Sequence, residues 1–201
     1  MKSIYQKAFH NSMSYTQYRS LHDELIAENR CTGHDQSQLL VEFTRINHQR
    51  MKRLDKTLQL TDEMINTVNQ LSEKQIWLVL SESWCGDAAQ NVSVLAKIAA
   101  QNPLIDLRIV LRDDNDELMQ RYLTNGGKSI PKLIAISDDF ETELFNWGPR
   151  PAEAIQLVID LKNKYGAITD EVKEALQKWY NEDKGISLQK EMIQLIKNAA
   201  N

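Results

Sequence analysis

Residues 76–88 read IWLVLSESWCGDA, and this stretch decides the fold. Its first five residues form a short apolar run, which is typical of a strand buried on both faces. A loop follows up to Gly86, and from Ala88 to Ala100 apolar side chains recur at the spacing of a helix. Cys85 is therefore predicted to lie between a buried strand and the start of a helix, where α/β sheets place their ligand chemistry.

This predicted position of Cys85 has opposing effects on its thiol. The helix that begins just after it directs free N–H groups and the positive end of its dipole at the sulfur, and both favour the thiolate. Asp87 brings a negative charge, which would raise the thiol pKa if its side chain points toward the sulfur. Gly86 permits a tight turn, and Trp84 would shield one side of the sulfur. The sequence leaves open which effect is larger.

The elements that follow the first strand predict a mixed sheet. They are a strand at 104–111, a helix at 114–123, strands at 130–136 and 143–147, and a helix at 152–165. Strand, helix, strand gives a parallel pair with a right-handed crossover, and the last two strands form an antiparallel hairpin. The predicted fold class is α/β, with a central mixed sheet in the order β-α-β-α-β-β-α and helices on both faces.

Both ends of the chain are predicted to be helical. A first helix ends near Arg30, and a second follows with its apolar residues on one side: Leu39, Phe43, Ile46, Met51, Leu54 and Leu58. Its opposite side is basic, and we interpret it as a solvated face. Further helices begin at Thr61, Thr169 and Ser187. We predict a helical N-terminal extension at 1–60, a sheet domain at 61–166, and a C-terminal helical extension at 167–201 packed on that domain.

Composition and charge narrow the class of protein. The chain has 201 residues and a formal net charge of −4, which argues against a general nucleic-acid binder. No apolar run approaches the length of a membrane span, and residues 1–20 lack the apolar region of a signal peptide. We therefore expect a cytoplasmic protein that binds neither nucleic acid nor membrane. The sequence leaves the oligomeric state open.

The two cysteines, Cys31 and Cys85, are too few and too far apart for a disulfide framework, so both are expected to be thiols. Cys31 and His34 have the spacing of two metal ligands and Asp35 is adjacent, but a zinc site normally needs four ligands. We predict no metal site and interpret these residues as a loop between helices. Trp147 and Arg150 could line the rim of the Cys85 site, although packing and surface charge explain them as well.

Two features together resemble the thioredoxin family. Trp84-Cys85-Gly86 stands at the predicted strand-to-helix junction, and 46 residues after the cysteine Pro131 begins a strand. The resemblance runs from about residue 73 to residue 165, and the N-terminal extension and the segment 147–151 resemble a bacterial branch of thioredoxin-like proteins. It implies a thioredoxin-like fold for 61–166 and a cis-proline at Pro131 against the active cysteine. It also implies that Ile130 pairs its backbone with the substrate chain.

The sequence departs from that family at two positions. Ala88 stands in place of the second cysteine, and Val79 in place of the buried carboxylate that assists proton transfer from it. The dithiol cycle is thus unavailable, because the motif itself cannot release a mixed disulfide formed on Cys85. The resemblance then implies a thiol–disulfide oxidoreductase of one-cysteine type, which acts on a protein or on a low-molecular-weight thiol or disulfide.

In this interpretation Cys85 is the catalytic nucleophile, and the substrate site comprises Trp84, Gly86, Asp87, Ile130 and Pro131. An external thiol such as glutathione could resolve the mixed disulfide, and no other cofactor is implied. Cys31 could be the resolving thiol instead, if the N-terminal helices fold over the site. The site could also hold a partner without turnover, and the alternative function is accordingly a redox-inactive binding or adaptor protein.

Overall fold

Four strands form the sheet at the centre of the protein: β1 (Gln75–Ser81), β2 (Ile105–Leu111), β3 (Lys132–Ser137) and β4 (Glu143–Trp147). The computed structural model describes residues 3–199. The strand order is β2-β1-β3-β4, with β1 and β2 parallel and the other two neighbouring pairs antiparallel. The prediction of an α/β fold with a mixed sheet is confirmed.

The apolar run of the sequence becomes the central strand β1. All seven of its residues are buried. Its neighbours lie on both sides, since Val79 is in register with Ile109 of β2 and with Leu133 of β3. A strand enclosed in this way must be apolar along its whole length, because both of its faces are covered. The carboxyl end of β1 then delivers the Trp84–Gly86 segment to one edge of the sheet.

Within the described residues, the helices are α1 (Ile4–His10), α2 (Tyr15–Ala27), α3 (Gln38–Thr57), α4 (Asp62–Asn69), α5 (Gly86–Ala99), α6 (Asp116–Met119), α7 (Ala152–Tyr165), α8 (Asp170–Asp183) and α9 (Ile186–Ala199). A 3₁₀ turn follows α6 at Gln120–Tyr122. The parallel crossover from β1 to β2 is α5, which is buried along most of its length. Helix α3 packs along α5, and α9 packs against α4 and β4.

The N-terminal helices are attached to the sheet by specific side chains. Helix α1, in a stretch for which the sequence predicts no element, begins with a capping box at Ser3. Its Phe9 ring lies 4.9 Å from the guanidinium carbon of Arg108 on β2. From α2, the Tyr18 hydroxyl forms a 3.0 Å hydrogen bond with Ser81 Oγ at the end of β1. The N-terminal segment is therefore continuous with the core around the sheet.

The predicted apolar face of α3 is wrong at two positions. Leu39 and Ile46 are 63% and 40% exposed, whereas Thr44 and Asn47 are fully buried. The reason is that α3 packs on the loop after β1, where Thr44 Oγ1 bonds Ser83 Oγ at 2.9 Å and Asn47 Nδ2 donates to the Ser83 carbonyl at 2.9 Å. Because the polar groups of that loop need hydrogen-bond partners, α3 turns Thr44 and Asn47 inward. Leu39 and Ile46 then lie on the exposed side.

The last three helices divide into two groups. Helices α7 and α8 share a small core of their own, formed by Ala154, Val158, Val172, Leu176 and Tyr180. Helix α9 joins the main core through residues such as Leu188 and Met192. The division of the chain into domains at residues 60 and 166 stays a prediction. No helix within 3–199 has the length and apolar character needed to cross a membrane.

Candidate active site around Cys85

Cys85 lies at the junction between β1 and α5, and it is the N-cap residue of α5. Its Sγ accepts a hydrogen bond from the Ala88 N–H at 3.4 Å and donates its proton to the Ile130 carbonyl at 3.3 Å. The residue is only 9% exposed. The helix N-terminus thus contacts the sulfur as the sequence predicts, but a carbonyl oxygen on the other side favours the protonated thiol.

Two proline turns adjoin each other beside the Ile130 carbonyl. The Ile130–Pro131 and Gly148–Pro149 peptide bonds are both cis. Gly148 has a φ of +118°, and a Cβ at this position would lie 2.2 Å from the Pro131 carbonyl oxygen. Lys132 Nζ donates to the Gly148 carbonyl at 3.0 Å. Only glycine permits this approach, so the loop before α7 rests directly on the backbone beside the thiol.

The Asp87 carboxylate is bound by two later parts of the chain. Its Oδ2 lies 2.7 Å from Arg150 Nη2, and its Oδ1 accepts a 2.8 Å hydrogen bond from the Tyr180 hydroxyl of α8. Asn91 Nδ2 donates to that hydroxyl at 3.1 Å and to the Asp87 carbonyl at 3.0 Å. Asp87 is 8% exposed, so the ion pair is largely removed from water. The turn at 148–151 thereby positions Arg150 for this contact.

Burial is the largest influence on the pKa of the Cys85 thiol, the quantity whose direction of shift the sequence leaves open. Burial, and after it the negative charge of Asp87, raise the pKa of the Cys85 thiol to about 12. The N–H groups of Ala88 and Asp87 and the charge of Arg150 act in the opposite direction but do not compensate. The resting site therefore holds a protonated thiol at neutral pH.

The Trp84 side of the site contains a second buried carboxylate. Glu82 is 0% exposed, and its Oε1 accepts the Asp113 N–H at 2.9 Å. Its Oε2 has no hydrogen-bond partner within the described part of the chain. Burial raises the pKa of this carboxyl group. The half-buried Trp84 ring lies 4.9 Å from the guanidinium carbon of Arg112, which in turn pairs with Asp113 at 2.7 Å.

Cys31 lies in a loop that is anchored beside the active segment. Thr32 N–H donates to Ser83 Oγ at 3.0 Å, and Ser83 N–H donates to Thr32 Oγ1 at 2.8 Å. Cys31 and Cys85 are both free thiols, and Cys31 Sγ donates to the Asp35 carbonyl at 3.1 Å. Its role as a resolving thiol stays a prediction. Within residues 3–199, no cluster of three or more His, Cys, Asp or Glu side chains could hold a metal ion.

The contacts of several residues around the site could not be predicted from the sequence. Arg50 belongs to the basic side of α3 and is interpreted there as solvated, yet it is only partly exposed and its Nη1 donates to Asn47 Oδ1 at 2.8 Å. Tyr180 and Gln177 carry no local signal, because their partners on α5 lie far away in the chain. Arg150 is considered from the sequence only as a rim residue, and its pairing with Asp87 has no local signature.

Comparisons with known proteins agree with this architecture. The family model described as thioredoxin matches residues 33–164. The crystal structure of a protein of unknown function, PA1234 from Pseudomonas aeruginosa, is similar with a TM-score of 0.65 at 15% identity, over 99% of each chain. The crystal structure of an HIV epitope-scaffold is similar with a TM-score of 0.54 at 17% identity, over 92% of this chain and 98% of the other.

At such identities the two structures support the fold alone. No curated protein matches the chain. The family model, however, covers well over half of the chain and includes β1, the Cys85 segment, α5 and all of the strands. The chain therefore belongs to the thioredoxin family.

Proposed function

We propose that the protein is a one-cysteine thiol–disulfide exchange protein that forms mixed disulfides through Cys85. The observation that supports this most directly is the position of its sulfur, between the N-terminus of α5 and the Ile130 carbonyl that precedes Pro131. A substrate strand that pairs with the backbone of Ile130 would bring its disulfide next to this sulfur. We propose a cytoplasmic setting, in which low-molecular-weight thiols are abundant.

The exchange requires no oxidant beyond the substrate disulfide. The Cys85 thiol loses its proton to solvent, and the thiolate attacks one sulfur of the substrate R–S–S–R′. A bond forms between Cys85 Sγ and that sulfur as the S–S bond breaks, and R′–S⁻ leaves and takes up a proton. A second thiol, such as glutathione, then attacks the mixed disulfide, restores the Cys85 thiol and forms a new disulfide. Ala88 at the usual second position supplies no thiol for this step.

The burial of Cys85 sets the pH dependence of this reaction. With a pKa of about 12, only about one thiol in 10⁵ is ionised at pH 7. The rate of the free protein with a small disulfide should therefore rise about tenfold per pH unit between pH 7 and 9. Binding of a substrate strand at Ile130 would displace the thiol from its carbonyl acceptor and favour ionisation.

The second candidate function is a binding or adaptor protein without turnover. The specific observation that favours it is the same buried thiol, which is 9% exposed and protonated at neutral pH. In that case the backbone at Ile130 and the half-buried Trp84 would bind a partner strand, and Cys85 would only fill space beneath them.

Intact-mass analysis after exposure to oxidised glutathione distinguishes the two functions. The wild-type protein and the Cys31→Ser variant should each gain one glutathione, whereas Cys85→Ser should gain none. A wild-type product that has lost two hydrogens, absent from both single variants, would identify Cys31 as the resolving thiol. If Cys85 forms no adduct at any pH up to 9 while the protein remains folded, the exchange function is wrong and the binding function stands.

A further inference from the structure

Three arginines surround the Cys85 segment, and they differ in their partners. Arg112 lies over Trp84 and pairs with Asp113 at 2.7 Å, and Arg150 pairs with Asp87 at 2.7 Å. Arg50, from α3, makes no ion pair with any residue in the described range 3–199. Arg50 Nη1 donates a hydrogen bond to the neutral Asn47 amide. Of the three arginines, Arg50 is thus the one that forms no salt bridge within residues 3–199, although burial lowers its pKa and the Asp87 carboxylate is near enough to act in the opposite direction.

The side chains of Arg50 and Gln177 converge on Gly86, the residue that follows Cys85. A Cβ on Gly86 would lie 3.4 Å from Arg50 Nη1 and 3.4 Å from Gln177 Nε2. Gln177 Oε1 accepts a 2.9 Å hydrogen bond from Gln90 Nε2, so its own amide nitrogen is the end that faces Gly86. Two donors, one of them charged, thus stand beside the first turn of α5, where the helix dipole also favours an anion.

A groove of about 370 Å³ continues from this point between α3 and α8. It is lined by the cations Arg50, Lys173 and Lys178, by the amides of Gln177 and Asn181, and by one carboxylate, Glu174. The lining is thus predominantly positive. Its volume suits a small molecule rather than a folded partner.

We propose that Arg50 and Gln177 form a subsite that binds a carboxylate of the substrate, so that Cys85 exchanges preferentially with carboxylate-bearing low-molecular-weight thiols and disulfides. This inference rests on the proposed exchange function in assigning the ligand as a substrate, but the subsite itself is a binding site. A planar guanidinium matches a carboxylate with two parallel hydrogen bonds, and partial burial strengthens the interaction by excluding water. The bound carboxylate would hold the ligand's sulfur near Cys85, one residue away from Gly86.

Rates of Cys85 modification test the preference. The two reagents are oxidised glutathione, which carries carboxylates, and hydroxyethyl disulfide, which carries none. The rate of Cys85 modification by each reagent is divided by the rate at which the same reagent modifies a free cysteine peptide. The normalised rate should be higher for oxidised glutathione. Arg50→Gln should lower it about tenfold for oxidised glutathione and leave it unchanged for hydroxyethyl disulfide. Gln177→Glu, which keeps the acceptor for Gln90 and adds a negative charge, should act in the same direction.

The matched control is Lys52→Gln, which removes one positive charge from an exposed position of the same helix and should leave both rates unchanged. Raising the salt concentration should reduce the preference, because it screens partly exposed charges. If Arg50→Gln slows both reagents equally, or if oxidised glutathione shows no normalised advantage, the subsite is wrong although the exchange function holds.

A binding measurement decides the matter even if Cys85 proves unreactive. Reduced glutathione is added to the Cys85→Ser variant, in which no exchange at this site can occur, and the Gly86 amide resonance is followed. A saturable shift that is lost in Cys85→Ser with Arg50→Gln supports the subsite independently of exchange. A Gly86 resonance that does not move with glutathione overturns the subsite.

Discussion

Two buried carboxylates flank the Trp84–Gly86 segment, and their surroundings differ. Asp87 has a charged partner in Arg150 and a hydroxyl donor in Tyr180. Glu82 has one backbone donor, from Asp113, and its second oxygen has no hydrogen-bond partner within residues 3–199. A carboxylate can remain ionised in a protein interior only where partners replace water. The turn at 148–151 and helix α8 supply those partners on the Asp87 side. On the Glu82 side the Thr32 side chain of the N-terminal loop lowers the pKa of the carboxyl group but does not offset its burial.

The largest expected difference between the Asp87 side and the Glu82 side is in the free energy of unfolding when a glycine is replaced. Gly148→Ala should lower the free energy of unfolding by about 3 kcal/mol or more, because its Cβ would meet the Pro131 backbone at 2.2 Å in a strained conformation. Gly33→Ala should cost about 1–2 kcal/mol, because its Cβ at 2.5 Å meets only the end of the Asp113 side chain, which can turn away. Urea unfolding measures both. Equal losses would show that the two proline turns are not packed as described.

The arginine of each side gives the next largest difference. Arg150→Gln should destabilise the protein by about 3 kcal/mol, because it leaves the buried Asp87 charge without its cation. Arg112→Gln should cost about 1 kcal/mol or less, because Arg112 and Asp113 both remain partly in water. Both values come from the same unfolding experiment. A loss for Arg112→Gln as large as that for Arg150→Gln would remove the distinction between the two sides.

The carboxylates should differ in their effect on the thiol. Asp87→Asn should lower the pH midpoint of Cys85 alkylation on the order of one unit, because a negative charge near the sulfur is lost. Glu82→Gln should leave the midpoint within a few tenths of a pH unit of its original value, because the pKa of Cys85 is raised by burial and by Asp87. Because the midpoint of about 12 lies above the range of pH 8 to 10, its decrease is measured as a faster iodoacetamide reaction at fixed pH within that range, about tenfold per unit, in a Cys31→Ser background. An unchanged midpoint in Asp87→Asn would mean that Arg150 fully cancels the carboxylate.

The smallest expected effect is on stability at the Glu82 position. Burial raises the pKa of Glu82 in the folded state, so its stabilising contribution is present below the unfolded pKa and is lost as pH rises through the folded pKa. At pH 7, burying the ionised Glu82 carboxylate lowers the free energy of unfolding, and Glu82→Gln removes that cost. The variant also places an amide group where the unpartnered oxygen lies. The variant should be more stable than the parent at pH 7 by about 1 kcal/mol, and the gain should vanish below pH 4. A destabilised variant at pH 7 would indicate that Glu82 is favourably ionised.

The sequence predicts the features whose causes are local. The apolar run 76–80, the helix after Cys85 and the strand that begins beyond Pro131 each depend on residues near one another in the chain. The direction of the Asp87 side chain could not be predicted, because Arg150 and Tyr180 reach it from distant helices and turns. The inward face of α3 could not be predicted for a related reason. Thr44 and Asn47 are polar by local criteria and are buried only because Ser83 supplies their partners.

Ser83 has a consequence for any attempt to shorten the protein. Its N–H, hydroxyl and carbonyl bond respectively to Thr32, to Thr32 and Thr44, and to Asn47, all of which precede the sheet in the chain. A truncated chain beginning at α4 would leave these groups without partners only two residues before Cys85. Grafting the Trp84–Asp87 segment onto a minimal thioredoxin scaffold would therefore not reproduce this site, because the N-terminal helices form one wall of it.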